Sequence, residues 1–172
     1  MLRTAAVVSG DCPELQALLA SAFFGEIDGF ELAAVVVTGP DSAAAARCGQ
    51  QNIPVFPVDY GIFPNDEVYT RALTAKLQDL DAEAVLLVAL EHEPLQALYR
   101  AYSGRCVCLR RSERAGQLEA EAVLADADGS EARRLGRVSV PAAEAGALRT
   151  LSSRSGELLV EAVKRFMAEL HG

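Results

Sequence analysis

The hydrophobic residues of this chain fall into short continuous runs and into stripes with helical spacing. Continuous apolar runs of this length predict strands that are buried on both faces. Five such runs precede residue 110, at 4–8, 32–37, 53–58, 84–90 and 105–109. Between them, apolar residues recur every three or four positions, as in helices that bury one face. Strands alternating with helices predict an α/β fold with a largely parallel sheet and helices on both of its faces.

Each predicted helix has an apolar stripe and residues suited to its ends. Asp11 and Glu14 have the spacing of a capping box, and Gly25 is suited to end that first helix. Asp41 is placed to cap a helix over 42–48, and Asn65 caps the next. The residues expected to pack on the sheet are Leu15, Leu18, Leu19 and Phe23; Tyr69, Leu73, Leu77 and Leu80; Leu95, Leu98, Tyr99 and Tyr102; and Leu159, Val163, Phe166 and Leu170.

The C-terminal part has a different pattern. Residues 119–125 and 134–140 form two predicted strands around the Asp- and Gly-containing segment 126–130, which favours a tight turn and an antiparallel hairpin. Pro54 and Pro57 place the third strand at an edge of the sheet. With no internal repeat or linker in 172 residues, we interpret 1–172 as one domain.

The charge and hydropathy narrow the function classes. A formal net charge of −8 and a pI of about 4.8 disfavour binding to nucleic acid or to anionic membranes. Glu113 interrupts the cluster of Arg110, Arg111 and Arg114, so we expect a solvated charged loop there. The apolar runs are too short to span a bilayer and no signal peptide is evident, so the expected location is the cytoplasm.

Parallel sheets of this kind bind ligands beyond the carboxyl ends of their strands. Those ends carry residues 9–14, 38–41, 90–94 and 108–112, and the turn around Asp128 is placed to join them. Cys106 and Cys108 are two residues apart on a strand, so they face the same side, and Arg110 continues that side. The simplest interpretation of residues 91–93 is a solvated loop, and that of the four cysteines is buried small side chains.

Four segments resemble one known family in order and spacing. Residues 8–18 are similar to the opening of glycinamide-ribonucleotide formyltransferases, and residues 47–54, 69–88 and 102–105 resemble three later segments of that family. The resemblance covers nearly the whole chain. It implies a three-layer, Rossmann-like formyltransferase fold. It also implies formyl transfer from 10-formyltetrahydrofolate to the amine of glycinamide ribonucleotide.

The resemblance also locates the family's catalytic positions in this chain. The family uses an Asn and a His two residues apart on a strand, together with a distant Asp. Cys108 stands at the Asn position, Arg110 at the His position, and Asp128 matches the Asp. Arg110 can stabilise an anion but cannot relay a proton near neutral pH. Of the family's three catalytic residue types, this chain therefore keeps one, the Asp, as Asp128.

The family's ligand positions are altered as well. Where the family presents backbone amides to the nucleotide phosphate, this chain has Gly10, Asp11, Cys12, Pro13 and Glu14 as its substrate-binding candidates. Pro13 lacks an amide donor, and Glu14 adds negative charge. The cofactor-binding candidates, which replace an apolar folate wall, are Glu91, His92 and Glu93. The family's substrate loop is shortened to residues 113–117.

These changes predict a divergent member of the family without glycinamide-ribonucleotide formyltransferase activity. It would act as a binding or regulatory module for a small molecule or a protein partner, with a homodimer as one option for its assembly. No cofactor is expected, and 10-formyltetrahydrofolate would be used only if the family activity survives.

Three alternatives stay open. The first is an active formyltransferase. The second is an enzyme of altered chemistry, in which Arg110 activates a Cys108 thiolate and Asp128 or His92 moves protons. The third is a zinc site formed by Cys12, Cys108, His92 and a carboxylate, although their spacing follows no known metal motif.

Overall fold

The structure is a computed structural model that describes residues 1–40 and 43–172. Its strands are β1 (Leu2–Val8), β2 (Phe30–Val37), β3 (Val55–Pro57), β4 (Ala84–Val88), β5 (Cys106–Arg114), β6 (Gln117–Ala125) and β7 (Glu131–Pro141). Its helices are α1 (Pro13–Phe23), α2 (Ala43–Gly49), α3 (Asp66–Asp79), α4 (Gln96–Ala101) and α5 (Ala147–His171), with a 3₁₀ turn at Tyr60–Ile62. No helix in the described residues is long and apolar enough to cross a membrane.

The described strands form one sheet in the order β3-β2-β1-β4-β5-β6-β7. Neighbours from β3 to β5 are parallel, whereas β5, β6 and β7 pair antiparallel. The predicted α/β class, the edge position of the third strand and the C-terminal hairpin are confirmed. Because β1 is flanked by β2 on one side and β4 on the other, a crevice opens beyond their carboxyl ends, where such sheets bind ligands.

Helices cover both faces of the sheet. Buried residues of α1, α2 and α5 share one core with Leu86 and Val88 of β4. Buried residues of α3 and α4 share a second core with Val85 and Leu87 of the same strand. All five residues of β4 are buried, because side chains of a strand alternate between two covered faces.

Several predicted stripe residues lie outside the core. Phe23 is 67% exposed, and Leu95 and Leu170 are 42% and 39% exposed. Leu80 is half-buried and packs at the edge of the second core. Each of the four stands at or beside a helix end, where the helical spacing continues but the neighbouring elements no longer cover the side chain.

Two of the predicted helix-end residues are confirmed, and one is wrong. Asn65 accepts a hydrogen bond from the Val68 amide at 2.9 Å, and Gly25 follows α1 with a φ of 65°. Asp11 does not cap α1, because the helix begins at Pro13 with Cys12 as its N-cap and no capping side chain. The cap predicted at Asp41, with the helix start at Ser42, lies outside the described residues.

The charged loop predicted at the arginine cluster is also wrong. Arg110, Arg111 and Arg114 belong to β5, which runs on to pair with β6. The two strands are joined by Ala115 and Gly116, both with positive φ (52° and 76°), as in a two-residue type I′ hairpin. This half of β5 has polar residues on both faces, so it lacks the apolar pattern by which strands are detected in sequence.

Candidate functional site

The strand β5 divides the candidate residues between the two faces of the sheet. Cys106 and Cys108 pack in the core beneath α3 and α4. Arg110 continues on that face, whereas Arg111 reaches α1 on the other face. Consecutive residues of a strand point in opposite directions, so the two adjacent arginines serve different sites.

On the α4 face, Arg110 ties three segments together. Its Nε lies 3.0 Å from Oε1 of Glu93, in the loop between β4 and α4. Its Nη2 donates to the carbonyl oxygen of Gly129 at 2.7 Å and lies 3.9 Å from the Cys108 sulfur. The predicted meeting of the β5 end with the β6–β7 turn is therefore confirmed, with Arg110 as the link.

The two thiols next to Arg110 contact each other. The Cys106 and Cys108 sulfurs are 3.8 Å apart, and both residues are at most 1% exposed. When Cys108 is ionised, the Cys106 thiol can donate a hydrogen bond to it; this bond and the Arg110 charge lower the pKa of Cys108, although burial opposes this. The same hydrogen bond and burial raise the pKa of Cys106. Cys108 is therefore the more acidic thiol of the pair.

Asp128 is held within its own turn. Its Oδ1 accepts hydrogen bonds from the amide and the hydroxyl of Ser130, at 2.9 and 2.5 Å. These bonds lower the pKa of the Asp128 carboxyl, which makes it a weaker base at neutral pH. The next residue is necessarily glycine: Gly129 has a φ of 86°, and a Cβ there would lie 2.9 Å from the Tyr99 ring.

On the α1 face, the predicted phosphate position is filled by a carboxylate. Glu14 lies in the first turn of α1, is 1% exposed, and forms an ion pair with Arg111. The Cys12 thiol also lies within hydrogen-bond distance of this carboxylate, 3.5 Å from its Oε2. Burial raises the pKa of Cys12, so its thiol keeps its proton at neutral pH.

The loop before Glu14 is fixed by Arg47. Its Nη1 donates to the Cys12 carbonyl at 2.7 Å, and its Nη2 pairs with Asp11 at 3.0 Å. Pro13 is at the first helical position. Gly10 lies against Gly39, where an added Cβ would be 3.0 Å from the Gly10 nitrogen. The five substrate-binding candidates, residues 10–14, therefore lie together, and the carboxylate among them, that of Glu14, is already paired with Arg111.

Residues 91–93 do not form one wall. All three are exposed, as the solvated-loop interpretation predicted. The His92 ring stacks on Tyr60 with centroids 3.6 Å apart, while Glu93 turns to Arg110. Glu91 and His92 line a cavity of about 340 Å³ beyond β1 and β2, together with Ser9, Thr38, Gly39, Pro40, Asp59, Tyr60 and Gly61.

A second cavity lies beyond the end of β4, beside the middle of β5. It has a volume of about 300 Å³ and is lined by Ala89, Leu90, Glu93, Leu109, Arg110 and Arg111. The predicted cofactor-binding residues are thus divided between two cavities.

The predicted zinc set is wrong as a group. Cys12 packs in the core beneath α1 and α5, whereas Cys108 packs on the opposite face of the sheet. His92 is stacked on Tyr60. Within residues 1–40 and 43–172, no group of three or more His, Cys, Asp or Glu side chains is placed to hold a metal.

Sequence reasoning missed two contacts. The Glu14–Arg111 ion pair joins residues almost a hundred positions apart, and the sequence around neither residue indicates which residue it pairs with. Side chains alternate along a strand, so a prediction that extended β5 past residue 109 would have placed Arg111 on the opposite face from Arg110. The stacking of His92 on Tyr60 had no sequence signal.

Comparison with known proteins relates the fold to formyl-transferring enzymes. No protein-family model matches the sequence, and a search of curated proteins finds no match. The glycinamide ribonucleotide transformylase 1 of Symbiobacterium toebii superposes with a TM-score of 0.84 and 18% identity, over 98% of this chain and 89% of that enzyme. The glycinamide ribonucleotide transformylase 1 of Geobacillus kaustophilus superposes with a TM-score of 0.82 and 17% identity, over 97% of this chain and 99% of that enzyme.

A second kind of enzyme shares the fold. The formyltetrahydrofolate deformylase of Burkholderia mallei superposes with a TM-score of 0.80 and 18% identity, over 97% of this chain and 66% of that longer protein. The formyltransferase fold expected from the sequence motifs is therefore confirmed. This chain has the three-layer fold of the glycinamide ribonucleotide transformylases and the formyltetrahydrofolate deformylases.

Proposed function

We propose that this chain is a divergent formyltransferase-fold protein that binds a ligand or partner and does not transfer a formyl group to glycinamide ribonucleotide. The observation that carries the proposal is the buried Glu14 carboxylate in the first turn of α1, paired with Arg111. A helix N-terminus binds a phosphate through free amides and favourable charge. Here the chain's own carboxylate occupies that environment, and a phosphate would be repelled by it.

The loop between β4 and α4 also fits a folate ring poorly. An apolar wall is what a pterin needs, and this loop presents exposed Glu91, His92 and Glu93. Glu93 is paired with Arg110, and His92 is stacked on Tyr60. The residues of this loop therefore do not fit 10-formyltetrahydrofolate.

The cavity of about 300 Å³ beside Arg110 is the best-supported place for a small ligand. It is at the lower end of the volumes of small-molecule sites, and its lining includes Arg110 together with Glu93, which pairs with it. The Arg110 side chain is 29% exposed, so a ligand anion that takes the place of Glu93 can pair with it. A small carboxylate is therefore our expected ligand class. A protein partner presenting an acidic side chain would satisfy the same chemistry.

An activity and binding assay tests this proposal. Purified protein is incubated with 10-formyltetrahydrofolate and glycinamide ribonucleotide, with the Geobacillus kaustophilus transformylase as the positive control. We expect no formylated product, and no rise in melting temperature with glycinamide ribonucleotide or inorganic phosphate. Product at a rate dependent on this protein would refute the proposal. A set of small carboxylates should raise the melting temperature of the wild type but not of an Arg110→Met variant.

A second candidate is an enzyme that uses the Cys108 thiolate as a nucleophile, because the pKa of this thiol is lowered beside Arg110. Iodoacetamide at neutral pH separates the two candidates. Rapid, selective alkylation of Cys108 would support the enzyme. Slow labelling that accelerates only in denaturant would agree with the buried position of the thiol and would favour the binding protein.

A further inference from the structure

Cys106 and Cys108 form a dithiol that the proposed binding function does not use. The two sulfurs lie 3.8 Å apart on the same face of β5. The Arg110 guanidinium lies 3.9 Å from the Cys108 sulfur. Tyr99 and Tyr102 pack in the same core, beside the pair. A neighbouring cation favours the reactive thiolate, and a second thiol at contact distance can resolve a sulfenic acid to a disulfide.

We propose that this dithiol is a site of reversible oxidation, at which a peroxide converts Cys106 and Cys108 to an intramolecular disulfide. In the first step the Cys108 thiolate attacks one peroxide oxygen, the O–O bond breaks, and hydroxide leaves and takes up a proton. In the second step the Cys106 sulfur attacks the resulting sulfenic acid, forming the S–S bond and releasing water. Two thiols lose two electrons and two protons, and hydrogen peroxide is reduced to two waters.

The surroundings assign the two roles. The pKa of Cys108 is lowered by the hydrogen bond from Cys106 and by Arg110, so Cys108 supplies the attacking thiolate. The pKa of Cys106 is raised, so Cys106 keeps its proton until the sulfenic acid forms beside it. The other two cysteines, Cys12 and Cys48, are also buried, but burial raises the pKa of each. Cys12 and Cys48 therefore serve as internal controls, because they are buried thiols whose pKa is not lowered.

Access to the dithiol depends on Arg110. Both thiols are buried, and the Arg110 side chain, whose Nη2 lies 3.9 Å from the Cys108 sulfur, also lines the cavity of about 300 Å³. A rotation of this side chain would therefore admit a molecule as small as hydrogen peroxide.

Oxidation has a structural consequence. The sulfurs must approach from 3.8 Å to a bonded distance of about 2.05 Å, which draws in the strand that carries Arg110. The links from Arg110 to Glu93 and Gly129 would then loosen. Residues two apart on a strand are separated by about 6.6 Å, near the upper limit for a disulfide. We therefore expect the bond to be readily reduced.

The experiment treats the full-length native protein with hydrogen peroxide and locates the oxidised cysteines by peptide mass spectrometry. We expect a disulfide within the peptide that contains residues 106–108, formed before Cys12 or Cys48 reacts and reversed by a thiol reductant. Cys106→Ala should stop at a Cys108 sulfenic acid that dimedone traps, and Cys108→Ala should give neither product. A variant with both Cys12→Ser and Cys48→Ser should behave as the wild type.

A further variant tests the role of the cation. Arg110→Met should lower the thiolate fraction of Cys108. A thiolate whose thiol has a higher pKa is a stronger nucleophile, which partly offsets the smaller thiolate fraction. For each tenfold loss of thiolate, we therefore expect the oxidation rate to fall roughly threefold. Arg110→Lys should restore most of the rate. The wild-type measurement needs no substitution, so a variant that misfolds does not affect the main test.

Two results would overturn the proposal. One is equal oxidation of all four cysteines, which would indicate reaction from the unfolded chain. The other is an unreacted Cys106–Cys108 pair at peroxide concentrations that oxidise a short cysteine peptide. Neither outcome depends on which ligand the protein binds, so this inference stands or falls separately from the proposed function.

Discussion

Replacing Glu14 by glutamine would remove one charge of the ion pair between α1 and β5. The substitution keeps the shape of the side chain and leaves Arg111 without its anion. It also removes an acidic residue from the first turn of α1, where negative charge is favourable. We expect the variant to fold with lower stability, because the wild-type pair satisfies a carboxylate that is 1% exposed.

The size of this effect follows from the burial of the two partners. Removing one member of a fully buried pair costs about 3–5 kcal/mol. Arg111 is 37% exposed and can regain water, which lowers the cost, whereas the lost helix-dipole interaction adds about 0.3–1 kcal/mol. We therefore expect a loss of roughly 2–4 kcal/mol in the free energy of unfolding. For a domain of this size, that corresponds to a fall in melting temperature of about 4–16 °C.

Urea unfolding followed by circular dichroism would measure this loss. Asp11→Asn is the matched control, because Asp11 also pairs with an arginine, at 3.0 Å, but its side chain is 61% exposed. An exposed pair of this kind contributes about 0–1 kcal/mol. Adding Arg111→Met to Glu14→Gln removes the unpaired cation and should recover part of the stability. If Glu14→Gln costs no more than Asp11→Asn, the buried ion pair is not a main support of this interface.

Three further predictions concern phosphate binding, alkaline stability and helix packing. Glu14→Gln should gain stabilisation by inorganic phosphate that the wild type lacks, since Arg111 and the start of α1 become free; equal responses of the two proteins would contradict this. Burial raises the pKa of Tyr69 to about 12 from 10.0, so this residue's contribution to stability is complete below pH 10 and is lost as the pH rises towards 12. Tyr69→Phe should therefore lose stability less steeply in that range, by up to about 1.4 kcal/mol per pH unit, in alkaline urea titrations; identical slopes would count against it. A Cβ at Gly156 would lie 3.1 Å from the Ala17 Cβ, so Gly156→Val should cost about 1–3 kcal/mol by thermal unfolding, whereas Ser153→Val on the same helix should have a smaller effect.

The fold was predictable because its signals are local. The run from Ala84 to Val88 is apolar on both faces, and the helices around it have caps and stripes that can be recognised within a few residues. Prediction failed where the signal was weak or outweighed. Residues 110–114 form a strand through pairing with β6, and their own side chains are polar on both faces. At α1, the capping-box spacing of Asp11 and Glu14 was outweighed by tertiary pairing of each residue with a distant arginine.

The candidate site was only partly predictable, because its contacts join distant parts of the chain. The shared side of Cys106, Cys108 and Arg110 follows from the two-residue repeat of a strand and is found in the structure. The contact between Arg110 and Gly129 requires knowing how the β6–β7 turn packs on Tyr99. Whether the candidate residues catalyse or bind anything stays a prediction.

The register of β5 explains why the two neighbouring arginines have separate roles. A strand turns each successive side chain to the opposite face, so Arg110 lies next to Cys108 while Arg111 reaches Glu14. A shift of one residue would exchange these faces, placing the thiols against α1 and both arginines out of reach of their partners. The antiparallel pairing of Arg110 with Glu121 and of Ser112 with Glu119 fixes that register beyond the apolar core. The polar extension of β5, which is the part of the strand hardest to recognise in sequence, is therefore what holds both halves of the site in place.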